Sequence, residues 1–87
     1  MTIDNTLYDR LNINNNATNK DIKKAYKKMS MKWHPDKNQN NKEEATKMFQ
    51  EISEAYSVLS DPEKREKYNV FRIYNFLVLS FSIIRSS

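Results

Sequence analysis

A chain of 87 residues, 30% charged and 38% hydrophobic, holds one globular domain at most and lies near the lower limit for burying a useful core. It has no Cys and one His, so disulfides, thiolate chemistry and His/Cys zinc sites are excluded, and no carboxylate spacing suggests a metal site. It also has no Gly, which removes phosphate-cradling loops and dinucleotide fingerprints, so nucleotide chemistry and a cofactor are not expected.

The formal net charge is +4, but it is unevenly placed. Asn19 to Trp33 carries six Lys against one Asp, a local +5 that leaves −1 for the rest of the chain. The amino end, MTIDNTLYDR, has neither a basic n-region nor an apolar h-region. No secretory signal is read there, and the expected compartment is the cytoplasm.

Helical signals run from one end to the other. TLYDRLNI places Leu7, Tyr8 and Leu11 at helical spacing, and Asn12 follows where a left-handed residue would end the helix. NNNATN is a polar loop. Thr18 with Asp21 three residues on is a variant capping box opening a second helix. Its apolar stripe is Ile22, Ala25, Tyr26, Met29 and Trp33, while Lys20, Lys24, Lys27 and Lys28 fall away from it. Pro35 disfavours helical geometry at His34, so this helix should end by about Trp33.

A third helix is expected from about Asn41 to Leu59, with Ala45, Met48, Phe49, Ile52, Ala55, Tyr56 and Leu59 on one face. Two amphipathic helices joined by a short polar loop make an antiparallel hairpin. Phe49 is expected in its core, where truncation to Ala would cost about 3–5 kcal/mol. SDPEKREKY then begins a fourth helix, with Ser60 or Asp61 as cap and Pro62 in the first turn. EKREK (63–67) reads as a solvated stretch.

After Asn69 the composition changes abruptly. Val70 to Ile84 is mostly apolar and aromatic, broken by Arg72 and Asn75, and the run Phe76 to Ile84 is far short of the ~20 residues a membrane-spanning helix needs. The boundaries expected are a domain over 1–69 and an apolar tail over 70–87. Three readings of the tail stay open: a further helix folded over the domain, an interfacial membrane anchor, or a translated intron. The last draws on Val codons beginning with GT and on an Asn- and Lys-rich composition that suggests an AT-rich genome. A chain ending at Asn69 is expected to fold and act as the full chain does.

LYDRLNI, DIKKAYKKMSMKWHPDKN and FQEISEAYSVLSDPEKREKY, in this order and spacing, resemble the J-domain family, the DnaJ-like co-chaperones. The resemblance covers roughly Thr6 to Asn69. It implies an all-α, four-helix fold built on an antiparallel hairpin of helices two and three. It also implies a role in protein folding: the domain binds a chaperone of the seventy-kilodalton heat-shock class and stimulates its ATP hydrolysis, without being an enzyme itself. Carried over residue by residue, the loop tripeptide required for that stimulation is His34, Pro35 and Asp36. The basic face that docks on an acidic patch of the partner is Lys23, Lys24, Lys27 and Lys28, with Tyr26 at its border.

The residues agree physically with this implication. Pro35 restricts the loop and lowers the entropic cost of binding. Ionised Asp36 can take charge-assisted hydrogen bonds from a partner Arg. The lysines would steer association over distance, subject to salt screening.

Each assignment has a plainer competitor. A lone loop His is usually a solvated residue, and a Lys-rich helix face usually only solvation; position within the matched segment decides for function. Trp33 and Tyr26 are expected to pack rather than to contact a ligand. Lys64 and Arg65 match a basic pair of the family's fourth helix and receive little functional weight. The competing class is nucleic-acid binding, suggested by the basic helix and a pI near 9.4. Against it stand a loop longer than a helix-turn-helix turn and a face of Lys rather than Arg or Gln. No nucleic-acid partner is therefore expected, and membrane contact is open only to the tail. The expected state is a monomer. Asn12 stands where the family usually has Gly, at a small cost. No Gly/Phe-rich linker, zinc module or substrate-binding domain is read after Asn69, so client binding is not assigned to this chain.

Overall fold

The computed structural model describes residues 4–86, with side-chain surroundings through residue 79. Residues 1–3 and 87, the ends of the two expected segments, lie outside the described residues. Four α-helices follow in order: α1 (Thr6–Arg10), α2 (Asn19–Lys32), α3 (Lys42–Leu59) and α4 (Pro62–Ser86). No strand occurs among the described residues, as an all-α fold requires.

Local chemistry sets the helix ends. Asn12 takes φ 57°, the left-handed conformation expected after α1, and the next amide, of Ile13, returns to the Tyr8 carbonyl at 3.0 Å. At the start of α2 both capping-box bonds form, Asp21 N–H to Thr18 Oγ1 and Thr18 N–H to Asp21 Oδ2, each at 3.1 Å. The Thr18 backbone N–H, and after it the Thr18 side chain, hold the Asp21 carboxyl below its usual range. Asp61, rather than Ser60, caps α4: its Oδ1 accepts from Glu63 N–H at 3.0 Å and Lys64 N–H at 3.4 Å. Pro62 opens the helix, where its missing N–H costs nothing.

The core lies where α1 and α2 meet α3. Tyr8, Leu11, Ala17, Ile22, Ile52, Ala55 and Leu59 form one buried cluster. Tyr26 stacks on Tyr56 with ring centroids 4.2 Å apart, and His34 meets Phe49 at 6.1 Å. Residue numbers thus rise along α2 as they fall along α3, so the two helices are antiparallel. An Arg10–Glu54 contact of 3.6 Å adds a surface tie between α1 and α3. Phe49, placed in the core by its periodicity, is only half-buried: it lies at the loop end of the hairpin, where the helix partners run out.

Helix α4 does not stop at Asn69. Its inward stripe is Arg65, Tyr68, Asn69 and Arg72, the i, i+3, i+4, i+7 spacing of one helix face. All four converge on α1 and the loop behind it. Tyr8 is 1% exposed; its hydroxyl donates to Asn69 Oδ1 at 2.6 Å and accepts from Arg65 Nε at 3.3 Å. The guanidinium groups of Arg65 and Arg72 lie over its ring at 5.6 and 5.2 Å. Arg65 Nη2 also donates to the carbonyls of Asn15 at 3.2 Å and Ala17 at 2.7 Å. The expectation of a solvated 63–67 stretch therefore fails at Arg65, which ties α4 to the α1–α2 loop. Arg72, 6% exposed, donates through Nη1 to the Asp4 carbonyl at 3.3 Å and to Asn5 Oδ1. The first turn of the tail is thus helical and fastened to the domain.

Ile52→Ala should cost about 2–5 kcal/mol, a large share of the roughly 5–15 kcal/mol that holds a small domain folded. Phe49→Ala should cost distinctly less, since much of its ring surface is already in water; urea titration of both variants checks the order. Arg72→Ala should lower stability by about 1–3 kcal/mol through loss of buried charged hydrogen bonds. A chain ending at Asn69 should fold but melt lower than the full chain by a comparable amount, read by thermal circular dichroism.

Candidate functional site

The α2–α3 connection is a pair of 3-10 turns, Pro35–Lys37 and Gln39–Asn41. His34 precedes Pro35 and takes φ −62°, ψ 129°, the extended geometry the following ring imposes. Its Nδ1 accepts the Asp36 N–H at 3.2 Å, so the imidazole acts as a cap for the Pro35–Lys37 turn. With Nδ1 accepting, the neutral ring carries its proton on Nε2. The Asp36 carboxylate lies 3.8 Å from the same Nδ1.

Asn38 locks the loop to α2. Its Nδ2 donates to the carbonyls of Lys32 and His34, each at 2.9 Å, satisfying an acceptor that the helix end leaves free. The Lys37 and Asn38 amides return to His34 and Pro35 at 3.0 and 3.1 Å. Nothing in the local pattern of the sequence marks Asn38 as a clamp, beyond its being an amide side chain a few residues past a helix C-terminus.

The outcome is a loop with its backbone bonded internally and its side chains outward. The Asp36 side chain is 84% exposed and that of His34 48%. Pro35 is half-buried. Asp36 thus presents acceptor oxygens to solvent on a fixed frame, and His34 presents a ring edge steadied by Phe49, the two rings meeting at 82°.

Below the loop runs a groove of about 540 Å³ between α2 and α3. Lys23, Tyr26, Lys27 and His34 from the expected set line it, joined by Met31, Lys37, Phe49 and Tyr56. Met31 is an exposed hydrophobic at 52%, outside the apolar stripe and so missed by periodicity. Phe49 and Tyr56 belong to the α3 stripe but surface here because the stripe is wider than the core it meets.

The four lysines are all exposed, and they border two different depressions. Lys23 and Lys27 border the His34 groove, whereas Lys24 and Lys28 line a separate depression against Leu11, Asn12 and Ile13. Residues 23 and 27 lie one turn apart on one side of α2, and 24 and 28 on the next side round. No cluster of three or more metal-ligating side chains occurs among the described residues.

Comparison with known proteins joins this geometry to a family. A family model described as DnaJ domain matches residues 6–69. DnaJ homolog subfamily B member 6 of Xenopus tropicalis is 55% identical over 64 residues, 74% of this chain and 26% of that protein. Chaperone protein DnaJ of Dichelobacter nodosus is 54% identical over 68 residues, 78% of this chain and 18% of that protein. DnaJ homolog subfamily B member 8 of Mus musculus is 55% identical over 62 residues, 71% of this chain and 27% of that protein. The chain thus spans about a quarter or less of the length of these curated relatives. The match takes in all of α1 to α3, the His34–Asp36 turn and α4 as far as Asn69, and this chain belongs to the J-domain family of DnaJ homologues.

Proposed function

We propose that this chain is a co-chaperone domain that binds a heat-shock protein 70-class chaperone and stimulates its ATP hydrolysis. The observation that carries this reading is the His34–Asp36 turn, internally bonded and clamped by Asn38, with its acidic and imidazole side chains directed outward. A loop that only connected two helices would need none of these fixed outward groups.

Family membership supports the partner class, and the chemistry of the surface supports the mode. Asp36 would accept charge-assisted hydrogen bonds from a partner Arg. Lys23, Lys24, Lys27 and Lys28 would draw an acidic partner surface toward α2, and Tyr26, stacked on Tyr56, would pack at the border. Stimulation needs no catalytic group on this chain: the contact has only to favour one conformation of the partner ATPase over another. With this charge distribution the effect is expected mainly on association rate.

Nucleic-acid binding is the weaker reading. Tyr26 is stacked against Tyr56 rather than standing free between the lysines, so α2 offers no aromatic platform for bases.

Asp36→Asn and His34→Gln should each abolish stimulation of a partner chaperone's ATPase with little change in melting temperature; normal stimulation by either variant would refute the loop assignment. Asn38→Ala, by contrast, should weaken stimulation indirectly, by releasing the loop.

Reversing Lys23 and Lys27 to Glu should slow association more than reversing Lys24 and Lys28, because only the first pair borders the groove that contains His34. Association of the unaltered chain should also slow as salt shortens the Debye length from about 10 Å at 0.1 M to about 3 Å at 1 M. Stopped-flow association rates across a salt series check both expectations.

A further inference from the structure

Past Asn69 the outer face of α4 changes character, while the inner stripe runs on to Arg72. The outer side chains of the first two turns are Glu63, Lys64, Glu66 and Lys67, all exposed. One turn later they are Val70, Phe71, Ile73, Tyr74, Leu77 and Val78, exposed by 42% to 64%. At about 100° per residue these six fall within an arc of about 160°, opposite the Arg65–Arg72 stripe that holds the helix to the domain. Apart from Met31 and Leu79, they account for the large exposed hydrophobics among the described residues.

We propose that this face pairs with the same face of a second copy of the chain, helix against helix and antiparallel. Three observations favour that occupant. The first is area. Six large apolar side chains, each about half exposed, offer on the order of 500 Å² per copy, so a pair buries about 1,000 Å², the lower bound for a specific interface. The second is spacing. Val70, Ile73 and Leu77 follow the 3–4 alternation that seats one helix along another, with Tyr74 beside them. The third is charge. The outer side chains just before the face are two acids and two bases, so that flank brings no net charge to repel a second copy, and no helix among the described residues is long and apolar enough to cross a membrane.

Direction follows from the same charges. A parallel pair would set Glu63 and Glu66 against their own copies, whereas an antiparallel pair centred near Tyr74 sets Val70 against Val78 and keeps the acids apart. Arg72 prepares the surface: its bonds to Asp4 and Asn5 fix the helix before any partner arrives, which reduces the ordering cost of association. The pairing departs from the monomer expected on sequence alone. It is independent of the proposed chaperone stimulation, since it uses α4 and leaves the His34–Asp36 turn untouched.

The test is sedimentation velocity of the full chain from about 1 to about 200 μM, the range in which so small an interface should dissociate. Mass should rise with concentration from one copy toward two. Leu77→Asp and, as an independent variant, Ile73→Asp should each weaken association by about tenfold or more while keeping helical circular dichroism and melting temperature. A single-copy mass across the range, or association that neither variant alters, overturns the proposal. Binding to phosphatidylserine vesicles without self-association also overturns it and gives the face to lipid. Because the chain has no Cys, disulfide trapping reads the direction. Tyr74→Cys should crosslink to its own copy, and Val70→Cys should crosslink to Val78→Cys better than to itself; efficient Val70→Cys self-crosslinking overturns the antiparallel arrangement.

Discussion

Burial of Ile22, Ile52, Ala55 and Leu59 along the α2–α3 seam is the contact on which the other features depend. Small side chains at Ala45 and Ala55, both fully buried, let the helices approach closely. Once the helices are fixed antiparallel, the end of α2 and the start of α3 are held close together. The nine residues between them, 33–41, must turn back in a confined space, and their carbonyls and amides must be satisfied locally. Pro35, Asn38 and the His34 imidazole meet that demand. The internally bonded loop is a consequence of the seam, which is how a chain without Cys holds the turn in one geometry.

Helix α4 is held by different physics. Its inward stripe is Arg65, Tyr68, Asn69 and Arg72, and its affinity for α1 comes from hydrogen bonds and from two guanidinium groups over the Tyr8 ring. A buried Tyr hydroxyl must find partners, and here it finds both a donor and an acceptor on one helix. Tyr68 adds a second polar tie: its hydroxyl accepts the Leu7 amide at 3.3 Å and donates to the Asp4 carbonyl at 3.4 Å. Partial burial pushes its phenol above the ordinary range. The outer face of α4 is free of these duties, so it can be charged as far as Lys67 and apolar beyond Val70 without disturbing the fold.

The surfaces consequently divide between the two ends of the structure. The loop and α2 carry polar and basic groups on a frame fixed by the hairpin, suited to steering and to charge-assisted hydrogen bonds. Far along α4 the exposed groups are apolar, suited to contact with another apolar face. The segment matched by the DnaJ domain model contains the first surface and ends at Asn69, before the second begins.

The sequence by itself determined the four helices and several of their ends, because these rest on local rules: a 3.6-residue apolar period, the Thr18–Asp21 capping box, a left-handed Asn12, and Pro35 stopping α2; the His34–Asp36 tripeptide was singled out by resemblance to a family. Several features came only from the tertiary structure. Phe49 carries the periodicity of a core residue, yet it lies at a groove because the core ends before the stripe does. The four lysines look like one patch in sequence, and the rotation of α2 against its neighbours divides them between two depressions. Arg65 reads as solvated and Arg72 as a mere break in an apolar run; only the arrival of the Tyr8 ring and the Asp4 carbonyl from far along the chain makes each of them a fastening. Local sequence fixes which side chains share a helix face, but what that face meets depends on groups distant in sequence, and the packing of the helices alone decides it.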